Sequence, residues 1–343
     1  SWKWVATAGG ESDDRGLALD VDNSGNIYVT GFFGKTATFG NNSILSNGGN
    51  DIFISKLGSD GHWVWAISTG GVDDDQGSNI ATNSQGNTYV IGDFRENMNF
   101  GNTNIASSGF TDVFVANIEI SRSSSFQFSS LSNAGGPDFD SGRDIVLDQN
   151  GDAYIIGNFE GTAIFGGKSI TSLNSSKDIF IAKLDNSGSW EWIVSGGGDG
   201  DDNGNSITIG TGGNLFITGD FTKTAYFGSK TLTNTDSNAI TSDIFVAKLD
   251  IDGNWKWAKN AGGIGDDSGQ SIYFNDGDIY ITGFFTNSAS FGSDSLTSNG
   301  GSDIFASMIN PSGAWQWTTG AGGSGSDVGT GIVASTNAGN TTL

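Results

Sequence analysis

Cysteine is absent from this 343-residue chain, histidine occurs once, proline twice, and fifteen basic residues face thirty-eight acidic ones. Without cysteine there is no disulfide framework, no thiolate nucleophile and no sulfur-ligated metal. A lone His62 excludes a repeated His-based triad or a multi-histidine metal centre. The formal net charge of −23 disfavours nucleic acid and anionic membrane as partners, since both would repel it. No run of eighteen apolar residues occurs, so no segment reads as a membrane-inserted helix, and no stretch carries the period of an amphipathic helix.

Tryptophan and glycine are abundant instead, at ten and fifty-five residues. All ten tryptophans fall into Trp-x-Trp pairs, Trp2/Trp4, Trp63/Trp65, Trp190/Trp192, Trp255/Trp257 and Trp315/Trp317, and Phe126/Phe128 fills the one gap in the series. One unit of about sixty residues therefore recurs, with boundaries near 2–62, 63–125, 126–189, 190–254 and 255–314, and 315–343 begins a sixth. Each unit runs in the same order: aromatic pair, Gly-Gly, an acidic loop closed by a glycine, an apolar stretch, a turn, Tyr-Val-Thr-Gly, Phe-Gly, a polar stretch, Asp-Ile-Phe and a second turn.

The apolar runs are four to eight residues long, rich in Ile, Val, Phe, Tyr and Trp, and punctuated by Gly/Asn/Asp turns such as Asp22-Asn23-Ser24-Gly25-Asn26. That is the pattern of strands joined by hairpins. Several runs are apolar without alternation, which predicts strands covered on both faces. The expected fold is all-β: a single β-propeller domain over 1–343 with four-stranded blades, five complete and part of a sixth, and a blade number of five to seven. An open β-solenoid is the runner-up.

Asp178–Asp185, the Trp-x-Trp pairs, Gly-Gly-x-x-x-Asp-x-Gly and Gly25–Phe33 together resemble the bacterial seven-bladed β-propeller repeat family, the SBBP repeats. The resemblance covers essentially the whole chain. It implies a secreted or cell-surface bacterial protein, often followed by a sorting or anchoring module, and it implies no particular activity. With the sixth unit cut partway, the natural chain is expected to continue beyond Leu343 through at least ~30 further residues of the repeat.

The acidic loop is the strongest candidate site. Two residues before the loop glycine stand Asp14, Asp75, Asp140, Asp202, Asp267 and Asp327; one residue earlier stand Asp13, Asp74, Asp201 and Asp266, replaced by Phe139 and Ser326. Unit charges ~8 Å apart repel by roughly 2 kcal/mol at an effective dielectric of ~20. A ring of such loops therefore calls either for cations or for side chains turned to backbone donors. An oxygen-only donor set suits calcium, with Asp199, Asp201 and Asp202 as one of the best single sites; the alternative is Asx-type capping of a glycine-rich turn. Asp20/Asp22 and Asp250/Asp252 resemble the start of an EF-hand, but Gly31 and Ala261 occupy the twelfth position, so both read as hairpin turns.

The Trp-x-Trp pairs place two indoles on one strand face and are expected to be largely buried between blades. The alternative is a set of sugar-stacking platforms. His62 lies in a turn and is expected to be exposed and inert. The reading is a non-catalytic structural, adhesive or ligand-presenting module with surface proteins or glycans as partners. Two alternatives remain open, a carbohydrate-binding propeller and a polysaccharide-acting enzyme built on a carboxylate pair. The repeat breaks at Glu119–Ser125 and in the polar excursion Thr231–Thr241.

Overall fold

The computed structural model describes residues 3–83, 87–120, 126–236, 240–337 and 340–342. Trp2, residues 121–125 of the third-repeat break and residues 237–239 of the polar excursion lie outside them. The fold is all-β and propeller-like: among the described residues there is no α-helix, only the single 3₁₀ turns Leu173–Ser175 and Thr211–Gly213.

The chain forms two compact units, the first comprising 1–155, 162–169 and 183–191, the second 156–161, 170–182 and 192–343. The first contains two complete four-stranded antiparallel meanders, built from Asp14–Val21, Ile27–Phe39, Asn42–Leu57 and Trp63–Thr69, and from Gln76–Thr82, Thr88–Phe94, Asp112–Ile120 and Phe126–Gly135. The second contains two more, Asp202–Ile209 with Leu215–Phe221, Asp243–Leu249 and Trp255–Gly263, and Ser268–Asn275 with Asp278–Phe291, Asp294–Ile309 and Trp315–Ala321. The division falls within the third repeat.

Both faces of the middle strands are covered, as their unalternating sequence requires. Every residue of Leu215–Phe221 is buried, and Tyr89, Val90, Ile91 and Phe94 are fully so. The threonine of Tyr-Val-Thr-Gly adds a polar tie: Thr30, Thr218 and Thr282 donate their hydroxyls to the carbonyls of Phe53, Phe245 and Phe305. Those hydroxyls also meet the following repeat. A Cβ on Gly77 or Gly269 would lie 2.2 Å from Thr30 Oγ1 or Thr218 Oγ1, so the loop glycine is the point where neighbouring meanders touch.

The aromatic pairs depart from expectation in two respects. Among the described tryptophans only Trp65 and Trp190 are buried, Trp4 is 37% exposed, and Trp63, Trp192, Trp255, Trp257, Trp315 and Trp317 are half-buried. The two members also do different work. The first stands edge-on against the phenylalanine of Phe-Gly: Phe39–Trp63, Phe165–Trp190, Phe227–Trp255 and Phe291–Trp315, with centroids 5.0 to 5.5 Å apart. The second reaches the next meander, where Trp4, Trp192 and Trp257 donate their indole N–H to the turn carbonyls of Ser59, Ile251 and Pro311. A ring whose polar edge serves a rim turn keeps that edge near water, which is why burial is partial.

The third repeat is shifted by two residues from the sequence reading. Ile118 faces Phe128, as Leu57 faces Trp63, and Phe128 makes the edge-on contact with Phe100. Phe128 and Ser130 thus occupy the places of the tryptophan pair, rather than Phe126 and Phe128; Ser130 lies under Gly188 where Trp4 and Trp192 lie under Gly61 and Gly253.

The Gly-Gly that ends each aromatic strand crosses to the next hairpin, pairing Gly197 with Tyr226, Gly198 with Ala225, Gly262 with Ser290 and Gly263 with Ala289. Neither glycine admits a side chain. A Cβ on Gly262, at φ +152°, would sit 2.4 Å from Asp243 Oδ1, and one on Gly263 would overlap the carbonyl of Ser288. Gly262→Ala is expected to cost about 3 kcal/mol in urea unfolding, against about 1 kcal/mol for Gly277→Ala, whose positive φ is equally unsuited to alanine but which has nothing within 4 Å.

Candidate functional site

Each acidic loop is folded around its second aspartate. Oδ2 of that residue accepts the N–H of the second glycine of Gly-Gly: Gly10 to Asp14 at 2.6 Å, Gly71 to Asp75 at 2.7 Å, Gly136 to Asp140 at 2.6 Å, Gly198 to Asp202 at 2.6 Å, Gly263 to Asp267 at 2.8 Å and Gly323 to Asp327 at 2.9 Å. In three loops the other oxygen accepts a second backbone donor, Arg95 to Asp75, Thr222 to Asp202 and Thr286 to Asp267. Asp75, Asp140, Asp202 and Asp267 are at most 1% exposed. These side chains cap the turn, because the glycine-rich loop has amide donors to satisfy and the carboxylate is the nearest acceptor.

The preceding aspartates are peripheral. Asp74, Asp201 and Asp266 accept the N–H of Asn50, Lys177 and Ser242, tying the polar stretch to the loop. Asp13 lines an open hollow with Ser12, Asp14 and Thr38. Asp199 accepts from the Asn174 amide at 3.1 Å. Asp22 and Asp250 are turn caps, as expected, accepting from Ser24 and Asn26 and from Asp252 and Asn254. His62 is 85% exposed on its side chain and lies 3.3 Å from Asp60.

The sequence reading missed the partner of each loop acid. The aspartate opening Asp-Ile-Phe is buried in every repeat: Asp51, Asp112, Asp178, Asp243 and Asp303 are 0 to 4% exposed. Each caps the polar stretch before it, accepting from the N–H of Asn47, Ser108, Leu173, Thr235 and Asn299. It also packs against the first glycine of Gly-Gly, with the loop acid on the far side. The point where a Cβ on Gly197 would sit is 2.8 Å from Asp178 Oδ1 and 2.9 Å from Asp202 Oδ2. The signal was available, since an acid recurs at one position next to a wholly apolar run.

Burial leaves these carboxyls reluctant to ionise. It pushes Asp202 up to about 8, with the charges of Asp178 and Asp220 adding to the rise, and Asp75 and Asp267 up to about 7, with Asp51 and Asp243 respectively contributing. Asp51, Asp112 and Asp178 rise to about 6, again through burial.

The third repeat presents something the others do not. Phe139 stands where the others carry Asp13, Asp74, Asp201, Asp266 or Ser326, and its ring stacks on Phe110 with centroids 4.8 Å apart and planes at 10°. The two rings are 47% and 62% exposed. Their loops are fixed beneath them by the Asp140 N–H to Thr111 carbonyl bond and the Thr111–Phe139 bridge.

No family model and no curated protein matches the chain. Among solved structures it is similar to a protein of unknown function from Bacteroides caccae, at 10% identity and a TM-score of 0.38 over 78% of this chain and 90% of that one. That likeness carries no functional argument.

Asp202→Ala leaves two buried amides without an acceptor and is expected to destabilise the protein by about 3 kcal/mol in chemical denaturation, whereas the exposed Asp201→Ala should stay within about 1 kcal/mol.

Proposed function

We propose that the chain is a non-catalytic propeller module of a secreted or cell-surface bacterial protein, acting by holding a partner rather than by transforming a substrate. The observation that carries this reading is the use to which the repeated groups are put. The loop acids and the Asp-Ile-Phe acids cap backbone amides, and the tryptophans join strands and repeats. Carboxyls held in that way do not serve as a glycosidase pair, which needs one acid and one base open to a sugar. The resemblance to the SBBP repeats supports the secreted setting.

Binding then falls to departures from the repeat. The Phe110–Phe139 stack offers an exposed, rigid aromatic face of the kind that lies against the C–H face of a hexose, which favours a glycan over the other partners considered. This moves the carbohydrate reading away from the Trp-x-Trp pairs, of which Trp4, Trp192 and Trp257 donate their indole N–H to turn carbonyls.

A glycan array probed with the purified chain, followed by isothermal titration of a hit, tests the proposal. Phe110→Ala/Phe139→Ala is expected to weaken binding at least about tenfold, the loss of roughly 1.4 kcal/mol, with little change in melting temperature. Release of reducing ends from any polysaccharide on the array would overturn the non-catalytic reading.

A further inference from the structure

Two carboxyls per repeat, buried together, pose a chemical problem that the capping bonds do not solve. In the first unit Asp51 stands beside Asp75; in the second, Asp178 stands beside Asp202 and Asp243 beside Asp267. Oδ1 of Asp51 and Oδ1 of Asp243 are buried and have no hydrogen-bond partner. That oxygen of Asp243 lies close to its neighbour: the position of a Cβ on Gly262 is 2.4 Å from Asp243 Oδ1 and 3.0 Å from Asp267 Oδ2. Two buried like charges at this spacing repel strongly, and an unpartnered carboxylate oxygen away from water adds its own desolvation cost.

We propose that the Asp51–Asp75, Asp178–Asp202 and Asp243–Asp267 pairs each bind one proton, shared between the two buried carboxyls. The proton removes one of the two charges, and at Asp51 and Asp243 it supplies a donor where a buried oxygen has none. A cation fits less well. Calcium takes six to eight oxygens, and here the loop acids have both oxygens occupied by amide donors while the partner has one oxygen to offer.

The groups facing each pair do not supply a counter-charge in contact. Asp75 is approached by Asp51 and Asp93, while Arg95 contributes its backbone N–H; Arg95 and Arg143 act on Asp93. Asp202 is approached by Asp178 and Asp220, with Asp201 acting on Asp178 and Lys177 on Asp220. Asp267 is approached by Asp243 and Asp266, with Asp236, Thr235 and Asn260 around Asp243.

The sign of the linkage follows. A carboxyl whose folded affinity for protons exceeds its unfolded one, near pH 3.9, binds more protons in the folded state. Stability is then greatest in mild acid and falls as pH rises through the folded values of about 6 to 8. Surface acids are already ionised across that range and cannot mimic the effect. The measurements use a His62→Gln background, so that no imidazole is present.

The test is thermal unfolding of the whole chain between about pH 5 and about pH 8, with infrared spectroscopy of the carboxyl region and calorimetry in buffers of different ionisation heat. A melting temperature lower by at least about 5 °C at the higher pH, a protonated-carboxyl band at neutral pH, and net proton release on unfolding are expected. Asp51→Asn, whose amide supplies the same donor without a proton, should fold, remove part of the infrared band and flatten the pH dependence. If Asp51→Asn fails to fold, the band and the proton count in the parent chain still decide. A flat melting profile with no such band overturns the proposal, as does a rise in melting temperature with calcium that abolishes the band, which would assign the pairs to a cation.

Discussion

The bond on which this fold depends is the one from the second glycine of Gly-Gly to the buried loop aspartate. It fixes the loop at the point where the chain leaves one meander and enters the next, and it recurs in all six loops with an N···O distance between 2.6 and 2.9 Å. Everything adjacent is shaped to allow it. The glycines lack side chains because the Asp-Ile-Phe carboxyl and a hairpin carbonyl occupy the space a Cβ would need. The loop glycine lacks one because a threonine or isoleucine of the preceding repeat fills it. A motif that looks like loop filler in sequence is thus a set of close contacts in which backbone and carboxylate replace the usual apolar packing.

The aromatic pair divides its labour across the same junction. The first ring closes the sheet it belongs to by an edge-on contact with Phe-Gly, and the second supplies a donor to the turn that follows. Burial area alone would treat the two as equivalent. The edge-on contact needs only an aromatic ring, which is why a phenylalanine can take the first place at Phe128.

Strand order and the four-stranded meander were legible in the sequence because period, turn chemistry and repetition all pointed the same way. The loop acids were legible as a site, and both of their possible uses could be stated, but which amides each carboxylate accepts depends on where the glycine N–H groups point, which no spacing reveals. The Asp-Ile-Phe acids were passed over because an acid at the head of an apolar strand looks like a boundary marker. Phe126/Phe128 was misregistered by two residues for a related reason: an aromatic-x-aromatic pattern matched the template, while the strand pairing, set by Ile118 and Asn117, placed Phe128 two positions earlier in the unit.

Trp4, Trp192 and Trp257 each donate to a turn belonging to the meander that follows. Every such junction uses the same donor on one side and the same kind of acceptor on the other. A whole repeat can therefore be duplicated or deleted with the joint regenerated at once, since the new neighbour presents the turn that the old one did. Length in such a chain is free to drift under selection while its chemistry stays constant, and novelty is confined to the few positions, such as Phe110 and Phe139, that no junction needs.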